Sequence, residues 1–205
     1  MLKELKRRGL ENVLLFVSDG LVGLKEALTD TFPKAKHQTC WTHLMRNIEN
    51  KVRAKDKLEV SKDAKEIYRS DYIKTAEKRL EEFLTKWSGR YPKLRKLLER
   101  KDNLFTFMLF PKEIRRSLYT NNICENFNKD TKRKLKQKVQ FPNEESLDKG
   151  VYIIVSEYNN KFSARTHLGF GLVKYELEKM IEQVSDSTDT IKSKKTYKFG
   201  FTQKI

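Results

Sequence analysis

The spacing of hydrophobic positions changes along the chain, and each spacing predicts a different element. Leucines alternate with charges over residues 2–8 and Gly9 follows, which predicts a short helix with a glycine stop. Asn12-Val-Leu-Leu-Phe-Val-Ser18 is a continuous apolar run that ends in the turn pair Asp19-Gly20. An unbroken run of that length predicts a strand buried on both faces, in a sheet covered by helices. Leu21, Leu24 and Leu28 then recur at helical spacing until Pro33. Strand, acid-bearing turn and helix in that order predict an α/β arrangement. Residues 35–42 give a second, weaker strand pattern.

From about residue 43 to 118 the pattern turns helical. Leu80, Phe83, Leu84 and Trp87 follow i, i+3, i+4, i+7 and predict one buried helix face, which Gly89 and Pro92 end. Leu94, Leu97 and Leu98 start another helix, and the apolar segment Leu104 to Phe110 closes at Pro111. This stretch reads as a helical insertion with its own core. Tyr119-Thr-Asn-Asn122 is a cap-forming cluster, so a helix is expected to follow it. Cys124, Phe127, Thr131 and Leu135 are expected on its buried side. Glu125, Asn128 and Lys132 are expected on a neighbouring polar side. Val151 to Phe162 predicts a further buried helix or strand, and the Ser/Thr/Lys-rich end predicts a loosely held tail. The expected division is 1–45 sheet-bearing core, 46–115 insertion, 116–185 second part of the core, and 186–205 tail.

Charge narrows the choice of partner. The chain has 205 residues with 44 Lys and Arg against 28 Asp and Glu, a formal net charge of +16. A field of that sign favours polyanions, nucleic acid first and an anionic membrane surface or acidic protein second. No run of 18 apolar residues predicts a membrane span, and the charged N-terminal residues lack the apolar core of a signal peptide. The two cysteines, Cys40 and Cys124, lie in different motifs and suggest no disulfide framework, so a reducing cytoplasm is the expected compartment.

Several residues have the chemistry for a site, and each has a plainer reading beside it. Asp19 follows a strand, where α/β sheets place their sites. It either holds a divalent metal through hard carboxylate oxygens or makes the Asp-Gly turn and caps the next helix. Glu125 either presents a carboxylate beside a phosphate backbone or pairs with Lys129 one turn on. His37-Gln-Thr-Cys40-Trp-Thr-His43 has zinc-like spacing, but no second Cys/His pair lies nearby, so packing near the site is the better reading. Trp41 and Trp87 either stack on bases or fill the core. Residues 126–138 hold Lys129, Lys132, Arg133, Lys134, Lys136 and Lys138 against one acid, Asp130. This run either tracks phosphates or is a solvated helix face.

Taken together, three segments resemble the Mutator-like transposases of bacterial insertion sequences. They are Val17-Ser-Asp19-Gly20-Leu, Cys40-Trp-Thr-His43-Leu-Met-Arg46-Asn47 and Tyr119-Thr-Asn-Asn-Ile-Cys-Glu125-Asn-Phe-Asn128. A Glu-Glu-Phe-Leu-Thr-Lys-Trp87 helix, a Tyr91-Pro92 turn and the Phe110-Pro111 step lie between them, and the resemblance runs over residues 1–170. It implies a partial RNase H-like core with a mostly helical insertion. It also implies an Asp-Asp-Glu DNA transposase using Mg²⁺ or Mn²⁺, with Asp19 as the second Asp and Glu125 as the Glu, both catalytic and metal-binding. Cys40, His43 and Asn128 would lie near the site, and Lys129, Lys132, Arg133, Lys134 and Lys136 would bind double-stranded DNA. A homo-oligomer, without a membrane role, is expected in a prokaryotic cytoplasm at the nucleoid. The resemblance places the first Asp upstream of residue 1. It therefore implies an N-terminally truncated chain, inactive and poorly stable alone, with an unpaired strand edge; the alternative is a non-enzymatic DNA-binding remnant.

Overall fold

Leu15–Ser18 forms β1 and Lys36–Thr39 forms β2, and the two strands pair in parallel with Leu15 opposite Lys36 and Ser18 opposite Thr39. The computed structural model describes residues 1–21, 23–99, 103–138 and 140–186. Helix α1 (Leu2–Arg7) precedes β1, and α2 (Leu24–Thr31) supplies the crossover that a parallel pair requires. Gly23, at φ 77°, opens α2 in the left-handed region that glycine adopts without steric cost. Leu21 therefore falls before the helix and is exposed, whereas Leu28 is buried.

β1 departs from the expectation of burial on both faces. Only Ser18 of its four residues is buried. Among the described residues β1 pairs with β2 alone, and its cover is partial. Leu14 and Leu15 pack on a small core of Phe110, Ile114, Val173 and Leu177, while the Phe16 ring meets Phe32 at 5.4 Å. β2 is polar in sequence because hydrogen bonds, not apolar contact, hold it. Gln38 is fully buried, its Nε2 donates to the Leu104 carbonyl at 3.0 Å, and its Oε1 accepts from the Phe107 N–H at 2.8 Å.

The larger core lies beyond the sheet. Helices α3 (Trp41–Glu49), α4 (Lys57–Tyr68), α5 (Ile73–Trp87) and α6 (Pro92–Leu98) converge on Trp41, Leu44, Ile48, Ile67, Phe83 and Leu94. The expected stripe on α5 is present: Phe83, Leu84 and Trp87 are buried, with Leu80 packed against them. Pro92 sits at the first position of α6, where its missing N–H costs nothing. Trp41 and Trp87 are both core residues, 1% and 4% exposed, so neither is available to stack on a base.

Short α7 (Arg115–Leu118) leads to α8 (Asn122–Lys136), α9 (Glu144–Phe162) and α10 (Lys174–Asp186). Asn143 caps α9 by accepting from the Ser146 N–H at 2.9 Å. The expected buried side of α8 is only partly buried: Phe127, Thr131 and Leu135 are half-buried. No residue of α8 is fully enclosed and Cys124 is exposed, because α8 packs on α9 through Phe127, whose ring meets Tyr158 at 4.8 Å edge to face. The 151–162 segment is helical, yet Gly150 is the one buried residue of α9, with Tyr152 and Ile153 exposed. Gly169, at φ +83°, lets the loop before α10 pass so close to Glu113 that a Cβ would run into the Glu113 carbonyl oxygen. The expected tail, apart from its first residue, lies outside the described residues.

Candidate functional site

The carboxyl end of the sheet is where the conspicuous polar residues meet. The Cys40 N–H donates to the Ser18 carbonyl at 2.7 Å, extending the strand pairing by one rung. Asp19, the next residue after Ser18, is exposed there. The Ser18 hydroxyl lies 2.7 Å from His37 Nε2, and the other ring nitrogen of His37 lies 3.0 Å from Asn103 Nδ2. Cys40 follows the last residue of β2 and caps α3, so α3 starts at this end of the sheet.

The start of α8 is fastened to the same place by three bonds. The Trp41 N–H donates to the Tyr119 carbonyl at 2.8 Å, the Thr42 and Thr120 hydroxyls lie 2.9 Å apart, and the Cys40 thiol donates to Asn121 Oδ1 at 3.1 Å. The first turn of α8 thereby stands against the first turn of α3. Glu125 projects from that turn toward α3. Its Oε1 lies 3.4 Å from His43 Nδ1, and its Oε2 accepts from Arg46 Nη2 at 3.4 Å. His43 Nδ1 also lies 3.4 Å from the Cys40 sulfur. Glu125 does not pair with Lys129, the plain i,i+4 alternative.

Close polar approaches thus link Ser18 through Cys40 and His43 to Glu125, with Asp19 next to Ser18 in the chain. Glu125 Oε1 is buried, and its approach to His43 does not make a hydrogen bond. Such an orphan carboxylate oxygen leaves a lone pair for a hard cation, and the donor chemistry of Asp19 and Glu125 fits Mg²⁺ or Mn²⁺. Among the described residues there is no group of three or more His, Cys, Asp or Glu that would hold a metal ion. The zinc-like spacing resolves into packing: Cys40 is buried with Asn121 and His43 as partners, not with a second Cys/His pair.

The basic run on α8 divides into two sides. Lys129, Lys132 and Lys136 follow Glu125 at i+4, i+7 and i+11, on one face of the helix. All three are exposed, and none forms an ion pair with a described residue. Asn128, also exposed, borders that face. Arg133 and Lys134 are already engaged: Arg133 pairs with Asp130 at 2.5 Å, and Lys134 reaches α9 to pair with Glu157 at 3.2 Å. Arg133, Lys134, Phe127, Tyr158 and Phe162 line a groove of about 530 Å³ between α8 and α9.

Two residues assigned no role from sequence belong to this site. Arg46 stands one turn past His43 on α3, a spacing that signals a shared helix face. Asn121 lies in the polar cap cluster, but nothing local reveals that its carbonyl meets Cys40 across 81 positions.

Comparison with known proteins adds lineage to this geometry. A family model described as "Transposase, Mutator family" matches residues 1–165. The chain is similar to the transposase for insertion sequence element IS905 of Lactococcus lactis, 38% identical over 182 residues, covering 89% of this chain and 46% of that one. It is 42% identical over 159 residues to the transposase for insertion sequence element IS1201 of Lactobacillus helveticus, covering 77% of this chain and 43% of the relative. With the transposase for insertion sequence element ISRM3 of Rhizobium meliloti it shares 34% identity over 158 residues, 76% of this chain and 40% of that protein. The chain spans about half the length of the curated relatives it matches.

Proposed function

This chain belongs to the Mutator family of transposases, and we propose that it contributes Asp19, Glu125 and a DNA-tracking helix to an Asp-Asp-Glu insertion-sequence transposase with an RNase H-like core. The observation that carries the reading is the convergence of the turn after β1 and the first turn of α8 at the carboxyl end of a parallel strand pair. In an open α/β sheet that end is where ligands are bound.

The proposed reaction is metal-dependent hydrolysis at the element's ends followed by strand transfer. A water oxygen attacks the scissile phosphorus and the bond to the 3′ oxygen breaks, freeing a 3′-hydroxyl. That hydroxyl then attacks a phosphorus of double-stranded target DNA, and the 3′ oxygen of the target strand departs. Asp19 and Glu125 would hold Mg²⁺ or Mn²⁺, which when bound lowers the pKa of water and stabilises the leaving oxygen. Glu125 is kept in place by α3, and Lys129, Lys132 and Lys136 hold the phosphate backbone beside it. Pairing two element ends calls for a homo-oligomer of the whole protein. No helix among the described residues is long and apolar enough to cross a membrane.

A second reading is a DNA-binding protein that does not cut. It is favoured by the pairing of Glu125 with Arg46, which engages one carboxylate oxygen. Cleavage of DNA carrying the element's end decides between them. In the whole transposase, Asp19→Asn or Glu125→Gln is expected to lower Mg²⁺-dependent cleavage by at least about a hundredfold, since metal stabilisation of the transition state is worth several kcal/mol, with DNA affinity kept. Cleavage at the parental rate in both variants would overturn the assignment; salt-sensitive binding without any cleavage by the parent would leave the second reading.

A further inference from the structure

Arg46 reaches from α3 to α8, with Nη2 3.4 Å from Glu125 Oε2 and Nη1 3.5 Å from His43 Nε2. The two ends of this pair differ in their freedom. The Glu125 side chain is 20% exposed and stands in the first turn of a helix that is bonded to α3 on its N-terminal side. The Arg46 side chain is 51% exposed, and the contact is long for an ion pair. A long, half-solvated guanidinium gives up little when it leaves a carboxylate. A half-buried carboxylate loses much more if left without a counter-charge. Arg46 is therefore the partner that can leave, and Glu125 the one that gains from another cation in its place.

We propose that Arg46 is a positioning residue that supplies the counter-charge of Glu125 while the site holds no metal, and cedes the carboxylate to an arriving divalent cation. The inference rests on the metal-binding reading above. Oε2, which Arg46 engages, and Oε1, which accepts no hydrogen bond, are the two oxygens a cation would use. Binding is then an exchange of one positive group for another, and the arginine competes with the metal. The sequence shows the competitor only as the fifth residue of the Thr-His-Leu-Met-Arg-Asn segment, with nothing to mark its partner 79 positions away.

The test is Mn²⁺ binding followed by electron paramagnetic resonance, without DNA and without turnover. The purified whole transposase is compared with its Arg46→Gln, Arg46→Lys and Glu125→Gln variants and the Arg46→Gln/Glu125→Gln pair. Removing the competitor is expected to tighten Mn²⁺ by about two- to fivefold, the range an exposed ion pair of this kind supports. Arg46→Lys keeps the charge and is expected to gain less. The double variant is expected to bind no better than Glu125→Gln. Unchanged or weaker binding in Arg46→Gln, with binding reduced in Glu125→Gln, overturns the exchange and leaves the metal site standing. Equal binding by Glu125→Gln and the parent, or none by any protein, removes Glu125 as a ligand, and both readings fall.

Discussion

The N–H of Cys40 donates to the carbonyl of Ser18 at 2.7 Å, and this bond joins the last residue of β1 to the residue that opens α3. Because the strands are parallel, the bond also brings two turns to one end of the sheet. One is the acidic turn at Asp19; the other carries the Cys40 thiol that meets Asn121. A carboxylate on a helix 85 residues further on is placed by a few short contacts, not by a continuous wall of packing.

DNA affinity is expected to reside on one side of α8. Replacing Lys129, Lys132 and Lys136 together with alanine removes three phosphate partners. The slope of log binding constant against log salt is then expected to flatten by about 2.7, at about 0.9 for each neutralised phosphate. Arg133→Ala/Lys134→Ala is expected to change it by less than the about 1.8 of two free contacts, since both cations are held by Asp130 and Glu157. Salt-titrated binding to duplex DNA checks this, and equal effects per cation on the two sides would refute it.

Gln38 is expected to be a stability residue despite its place beside the site. Gln38→Leu strands the Phe107 N–H, which donates to Gln38 Oε1 at 2.8 Å inside the core. The expected cost is about 1–3 kcal/mol, that of one buried donor left unsatisfied. Urea unfolding measures it; a loss below a few tenths of a kcal/mol would mean that water reaches the Phe107 amide.

Acid is expected to loosen the helical region through Asp56. The Tyr91 hydroxyl donates to its carboxylate, with Arg90 adding a second bond at 3.1 Å, and these hold Asp56 below the usual carboxylate range. A carboxylate whose folded pKa is depressed stabilises the fold above its unfolded pKa, and loses that contribution as pH falls through the folded value. Asp56→Asn is therefore expected to lower Tm at pH 7, with the difference from the parent shrinking below about pH 4. A constant difference from pH 7 to pH 3 would show that the carboxylate's charge plays no part.

Some of this was legible in the chain and some was not, for physical reasons. The run Asn12 to Ser18 reveals a strand through its continuous apolar and β-branched residues, and the Leu80 to Trp87 spacing reveals a helix face, because burial of one face leaves a period. β2 is hidden in Lys-His-Gln-Thr because Gln38 is buried by hydrogen bonding, which leaves no apolar period. The burial of β1 was overestimated, since an apolar run records preference and not how much of each face is covered. On α8 the inward side expected at Cys124 is exposed: the helix packs on α9 through Phe127 and meets α3 only in its first turn, which encloses part of its circumference. Asp19 and Glu125 were visible as candidates. The bonds of Cys40 to Ser18 and Asn121, and the hold of Arg46 on Glu125, depend on contacts between residues far apart in the chain.

The exposure of Cys124 has a practical consequence. It is the accessible one of two free thiols, since Cys40 is buried, and it neighbours Glu125 in the first turn of α8. A maleimide dye or a nitroxide will therefore attach at one position without engineering. It will sit in the turn that carries Glu125, where fluorescence or spin relaxation would report the arrival of the metal ion or DNA strand proposed above.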